Sequence, residues 1–216
     1  MVDEKVNKII LLLKKEYPDV KISLNYSNPF DLLIATILSA QCTDIRVNEV
    51  TKTLFRKYRT PQDYLRTTQE DLEKDIYSTG FYKNKAKNIK KLSEILINDF
   101  NSKVPDNMDD LTTLPGVARK TANVVLSVAF GKNEGIAVDT HVKRLSSRLG
   151  LTMNNDPDKI EKDLVSKVSK KEWGIFTLLL IQHGRKICTA KKPLCQECIL
   201  NELCPSPFTF GDANVN

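Results

Sequence analysis

LPGVARKTANVVLSVAFGKNEGIAVDTH, residues Leu114 to His141, is the stretch whose reading decides the fold. Pro115-Gly116 breaks the chain into a tight turn, and Gly116 suits it because such a turn usually needs a residue free to take positive φ. Helical spacing resumes at once. Ala122, Val125 and Ala129 fall on one stripe and Val124 and Val128 on the next, which predicts a helix from near Ala118 to Phe130. The first turn of that helix points free backbone N–H groups, and the positive end of its dipole, back at the hairpin. That is an anion site, and phosphate is the obvious anion.

Lys120 lies in this first turn, where the dipole disfavours an ammonium and partial burial would disfavour it further. A lysine that is uncharged part of the time is a nucleophile, although the position also suits an ordinary solvated lysine. After Gly131 and Gly135 the chain enters VDTH, Val138 to His141, and a further helical pattern at Val142, Leu145 and Leu149. Asp139 is placed to cap that helix, and a capping carboxylate is held rigid and ionised.

The chain has 216 residues, 41% of them apolar, enough to bury a core in one domain or two small ones. Its net charge of +6 favours a polyanionic partner, nucleic acid before an anionic membrane surface. No apolar run approaches the roughly 20 residues that span a bilayer. MVDEKVNKII at the start lacks the layout of a secretion signal, so a cytoplasmic protein is expected, nucleoid-associated if prokaryotic.

The rest of the chain reads as helix after helix, with no run of alternating β-branched residues to suggest a strand. Val6, Ile9, Ile10, Leu13 and Tyr17 form one amphipathic stripe, ended by Pro18. Asn28-Pro29 opens an apolar helix through Leu32, Leu33, Ile37 and Leu38. Asp44 is read as the cap of a helix to about Tyr58, and Thr60-Pro61 and Thr68-x-x-Asp71 start two short ones. Gly80 turns the chain into a long helix ending near Phe100, whose Lys83, Lys85, Lys87, Lys90 and Lys91 read as a solvated face. The turn before it could also meet a phosphate backbone. Pro105 to Asp110 reads as a polar linker. Asp156-Pro157 opens a helix to about Val168, and Trp173 to Ile187 makes the last long one. Gly211 to Asn216 reads as a frayed end.

Four of the five cysteines, Cys188, Cys195, Cys198 and Cys204, are spaced C-x6-C-x2-C-x5-C. Four close thiols in a cytosolic chain point to metal rather than to disulfides, either zinc or a [4Fe–4S] cluster. Only one pair has the short hook usual in structural zinc sites, which tilts the choice toward the cluster. Lys191 and Lys192 lie inside this loop and are candidate phosphate contacts. Cys42, alone in SAQCTD (Ser39 to Asp44), reads as a small packed residue.

LPGVARKTA, VDTH, SAQCTD and the cysteine tail, in this order and at these separations, resemble the endonuclease III family of helix-hairpin-helix DNA glycosylases. The similarity runs from about Ile9 to Pro205. It implies an all-α fold of two lobes with a C-terminal iron–sulfur cluster loop. One lobe would be a six-helix domain, residues 23–133, containing the helix-hairpin-helix motif at about 111–130. The other would combine residues 1–22 with 134–216 and hold a [4Fe–4S] cluster on the four cysteines of the 188–204 loop. The resemblance further implies a monomer that acts on double-stranded DNA bearing damaged bases or abasic sites, with the DNA between the lobes.

Carried over by position, Lys120 matches the family's catalytic lysine and Asp139 its catalytic aspartate, while Gln41 matches the residue that wedges into the duplex when a base is flipped out. Gly116, Val117, Ala118, Arg119 and His141, with Lys191 and Lys192, complete the expected DNA contacts. Ala118 stands where many relatives have a second hairpin glycine, and Cys42 where Ala or Thr is commoner. The implied reaction is base-excision repair: release of an oxidised pyrimidine, then AP lyase cleavage 3′ of the abasic site by β-elimination through a Lys120 Schiff base. A monofunctional mismatch glycosylase is the nearer alternative, disfavoured by Lys120. A non-catalytic DNA-binding or iron–sulfur scaffold is the further one, and it would have no need of the Lys120 and Asp139 pair.

Overall fold

Eight of the eleven α-helices among the described residues begin on an Asp, Asn or Thr whose side chain accepts a first-turn N–H. Such a cap contributes about 1 kcal/mol. The computed structural model describes residues 3–209, so the expected fraying of Gly211 to Asn216 lies outside them. No β-strand occurs among the described residues, and no helix there is long and apolar enough to cross a membrane. The chain divides into two compact units, residues 22–134 and residues 1–21 with 135–216.

The continuous unit holds α2 (Pro29–Leu38), α3 (Asp44–Lys57), α4 (Pro61–Arg66), α5 (Gln69–Ile76), α6 (Tyr82–Asp99), α7 (Met108–Thr113) and α8 (Arg119–Phe130). Its core is built on α2, where Leu32, Leu33, Ile34, Ala35 and Leu38 are wholly buried. Burial on every face is what an apolar helix without a polar stripe requires. Helix α8 packs on α2 through Ala122, Val125 and Leu126, and α4 and α5 pack on α6.

Three sequence expectations are corrected here. Thr43, not Asp44, caps α3: its hydroxyl accepts from Arg46 N, and Asp44 is the first helical residue. The polar linker after Pro105 ends sooner than its composition suggests, because Asn107 caps α7 and the chain is helical from Met108. The lysines of α6 are not one solvated face. Lys85 is only 5% exposed, and Lys90 Nζ is held by the carbonyls of Tyr64, Leu65 and Thr67 at the end of α4.

The discontinuous unit holds α1 (Glu4–Glu16), α9 (Thr140–Arg148), α10 (Pro157–Lys167) and α11 (Trp173–Lys186), with short 3₁₀ turns at Cys195–Glu197 and Asn201–Leu203. The stripe of α1 at Val6, Ile9 and Leu13 is fully buried against α11, whose Phe176, Leu179 and Leu180 are equally buried. Truncating one of these to Ala would cost about 2–5 kcal/mol. Helix α9 lies against α11 where Gly184 leaves room: a Cβ there would come within 2.9 Å of His141 Nδ1 and 3.0 Å of Arg144 Nη2.

Candidate active site and iron–sulfur loop

Helices α7 and α8 are joined by a hairpin that its own sequence closes. Val117 N donates to Leu114 O at 3.0 Å, and both side chains are buried, so the turn is anchored from within. Gly116 sits at the exposed tip with φ +81°, and a Cβ there would press on Asn88 Nδ2 at 3.1 Å. Ala118 follows as the N-cap of α8 and has no side-chain oxygen with which to cap it. The first-turn N–H groups of this 12-residue helix thus lack the side-chain acceptor that eight of the other helices possess. Lys120 lies in that turn and is exposed, so the expected partial burial is not met.

Two further exposed side chains of this unit stand in unusual backbone. Gln41 has φ +53° and Phe81 has φ +49°, both in the left-handed region that non-glycine residues rarely enter. Phe81 is 66% exposed and is the N-cap of α6, which also lacks a side-chain cap. The Gly80 turn signalled a bend, but nothing in the sequence marked the aromatic after it as solvent-facing.

In the discontinuous unit Asp139 caps α9, its carboxylate accepting from Val142 N at 2.8 Å. His141 is half-buried, and burial pushes its pKa down, opposed by the Asp139 charge. Arg144 Nη2 lies 3.2 Å from His141 Nδ1, and a guanidinium only donates, so Nδ1 is the acceptor of that pair. The same guanidinium donates to Gly184 O at 2.9 Å and, through Nε and Nη2, to Cys188 O at 3.1 and 3.0 Å.

One turn further along α9, Arg148 is nearly buried and reaches the cysteine loop. Its Nη1 donates to Thr189 O at 2.7 Å and lies 3.3 Å from Cys188 Sγ, and its Nη2 donates to Ala190 O at 2.9 Å. Cys188, Cys195, Cys198 and Cys204 line one pocket, walled by Leu145, Leu149, Ile187 and Leu200. Lys191 and Lys192 stand exposed on the same loop, with Thr189 Oγ1 donating to Lys192 O at 2.6 Å. Burial pushes the thiols of Cys198 and Cys204 up, while the backbone N–H groups of Leu200 and Ser206 pull them down. His183 is buried between Tyr17 Oη, 3.1 Å from its Nδ1, and Cys198 Sγ, 3.3 Å from its Nε2. Burial holds the Tyr17 hydroxyl protonated, its pKa pushed up to about 12, so it is able to donate to Nδ1, and in that tautomer Nε2–H faces the sulfur.

Residues 34–170 match the family of HhH-GPD superfamily base excision DNA repair proteins, and residues 188–204 match the iron–sulfur binding domain of endonuclease III. Endonuclease III of Synechocystis is 52% identical over 203 residues, covering 94% of this chain and 93% of that one. The chain belongs to the endonuclease III family. A solved structure described as a non-covalent endonuclease III–DNA complex superposes with a TM-score of 0.90 at 48% identity, covering 95% of this chain and 96% of that one. A second, described as a trapped endonuclease III–DNA covalent intermediate, matches with the same score, identity and coverage. As an endonuclease III family member the chain is a DNA glycosylase/AP lyase of base excision repair with a [4Fe–4S] cluster.

The cysteine loop of this endonuclease III relative fits such a cluster. A single tetrahedral zinc draws its thiolates to within about 3.8 Å of one another, and among the described residues no three Cys, His, Asp or Glu side chains close onto a single ion. Four thiols spread around one pocket, with N–H donors from Arg148, His183, Leu200 and Ser206 turned toward the sulfurs, suit a larger multi-iron group. Sequence reasoning missed Arg144, Arg148, Tyr17 and His183. Tyr17 was placed only as one member of the apolar stripe of α1.

Proposed function

We propose that this enzyme removes oxidised pyrimidines from duplex DNA and then cuts the strand 3′ of the resulting abasic site through a Schiff base on Lys120. The observation that carries the reading is Lys120 itself, an exposed lysine on the first turn of a helix whose N-terminus has no side-chain cap and adjoins the Gly116 hairpin. A phosphate on those N–H groups would bring the sugar–phosphate backbone to the lysine, and the DNA would supply the desolvation that the protein does not.

A base inside a duplex is out of reach, so the nucleotide is extruded at a cost of a few kcal/mol, which Gln41 and the phosphate contacts offset. The backbone at Gly116, Val117 and Ala118, together with Arg119, His141, Lys191 and Lys192, is assigned to those phosphate contacts. The Lys120 amine, neutral, attacks C1′ and the base departs with the glycosidic electron pair and a proton. Asp139, fixed by its bond to Val142 N, stabilises the positive charge on the sugar and passes the proton. The secondary amine on C1′ loses a proton, its lone pair expels O4′, which is protonated as the sugar ring opens, and the resulting iminium acidifies the C2′ proton. Its removal expels the 3′ phosphate and breaks the strand.

Cys188, Cys195, Cys198 and Cys204 are assigned as the cluster's ligands, and the bound cluster supplies the cross-link that shapes their loop. With all four thiolates engaged it takes no part in bond breaking. The test is to incubate the enzyme with duplexes containing thymine glycol, uracil, 8-oxoguanine or a preformed abasic site, reading base release and nicking separately. Release of thymine glycol with coupled nicking is expected. Release of uracil without nicking would favour the monofunctional alternative.

A further inference from the structure

Lys85 is a buried lysine with no carboxylate beside it among the described residues. It lies on α6 and is 5% exposed, and its ammonium donates to Leu38 O at 2.7 Å and to Thr79 O at 2.9 Å. Those carbonyls end two different elements. Leu38 closes α2, and Thr79 closes the 3₁₀ turn Tyr77–Thr79. A cation is favoured where helix carbonyls run out of intrahelical partners, so one ammonium caps both ends.

Each of the two segments that leave these ends carries an exposed residue in left-handed backbone. Three residues past Leu38 comes Gln41 at φ +53°, and two past Thr79 comes Phe81 at φ +49°. Neither is a glycine or an asparagine, and a side chain in this region is strained and persists there only where its surroundings over-determine it. Phe81 O in turn accepts from Lys85 N at 3.0 Å, so Lys85 grips that segment by backbone as well as by side chain. Burial works against the arrangement, lowering the lysine's pKa from its usual value. A methionine of similar shape would fill the space without desolvating a charge, and buried charges are often neutral or worse for stability. Stability alone does not account for an ammonium here.

We propose that Lys85 is a positioning residue for base extrusion: its ammonium bolts the segment carrying Gln41 to the segment carrying Phe81, so that both side chains stand in fixed register before DNA arrives. The inference rests on the assignment of Gln41 to the duplex wedge. Preorganisation of this kind lowers the cost of opening the helix, because two loops need not be ordered during the flip.

The experiment compares wild type, Lys85→Met and Gln41→Ala on three duplexes: undamaged, carrying thymine glycol, and carrying a preformed abasic site. Lys85→Met is expected to bind undamaged duplex within about twofold of wild type, with the same salt slope. Its single-turnover release of thymine glycol at saturating enzyme should fall at least tenfold, as should that of Gln41→Ala. Nicking of the abasic duplex, where no base has to be extruded, should fall much less in both, because opening costs least where the base is already lost. If Lys85→Met destabilises the fold too far, Lys85→Gln, which keeps a donor for one of the two carbonyls, is expected to show a smaller loss with the same pattern. Normal thymine glycol release by Lys85→Met beside an impaired Gln41→Ala would overturn the role of Lys85 and leave the wedge standing. Equal losses on all three duplexes in step with melting temperature would show Lys85 to be structural only. A Gln41→Ala variant with unchanged release would overturn the wedge assignment, and this inference with it.

Discussion

Asp139 and Val142 are joined by one hydrogen bond, carboxylate Oδ1 to backbone N at 2.8 Å, and that bond starts the helix that also carries His141, Arg144 and Arg148. The carboxylate therefore has a structural task and, in the proposed reaction, a chemical one. Asn caps a helix about as well as Asp, so Asp139→Asn separates the two. Melting temperature should move by no more than about 2–4 °C, the shift of 1 kcal/mol in a chain of this size. Base release should fall by about 100-fold or more, the usual scale of a lost charged catalytic group. Thermal melts and single-turnover assays on the same preparation check it. Equal losses in both would make the residue a cap and nothing else.

Arg148 makes two loop-carbonyl bonds and approaches the Cys188 sulfur from the far end of α9. Removing it leaves those groups without their donor, and loss of such outer partners typically weakens metal retention 10–100-fold. Arg148→Gln should lose iron faster than wild type on dilution with a chelator, followed by iron content and visible absorbance. Lys191→Ala, on the same loop, should not.

Lys191 and Lys192 serve as a control on what the loop does for DNA. If each neutralises one phosphate, the double Ala variant should flatten the logarithmic salt dependence of binding by about 2. The single-turnover rate at saturating enzyme should hardly change. Filter binding across a salt series gives the first number and a quench experiment the second.

Gly184 tests the contact between α9 and α11. Helix propensity favours Ala over Gly by about 1 kcal/mol. Here the added methyl would meet His141 Nδ1 at 2.9 Å and Leu145 Cδ1 at 3.1 Å, and overpacking costs about 1–3 kcal/mol. The clash should win. Gly184→Ala is expected to melt lower than wild type and to displace Arg144 from its carbonyl partners.

Much of this was legible in the residues. Asn28, Thr60, Thr68, Asp139 and Asp156 cap the helices that their spacing announced, and the Pro115-Gly116 hairpin leads into α8 as its periodicity requires. What escaped was set by tertiary contacts. Lys85 sits in a run of lysines, and nothing local says that one of them turns inward to a carbonyl 47 residues away. Arg144 and Arg148 look like the polar face of α9 until the cysteine loop, some 40 residues later, folds back onto them. Thr43 and Asp44 are both good caps, and the sequence offers no means of choosing between neighbours.

Lys120 carries the central claim, and borohydride trapping tests it most directly. Reduction of the iminium with borohydride turns a transient enzyme–DNA adduct into a stable secondary amine, visible as a band of raised mass on a denaturing gel. Wild type incubated with an abasic duplex should give that band, and Lys120→Gln should give neither band nor nick while binding the duplex almost as well. A trapped adduct in the Lys120→Gln variant, mapped by mass spectrometry to another amine, would contradict the account.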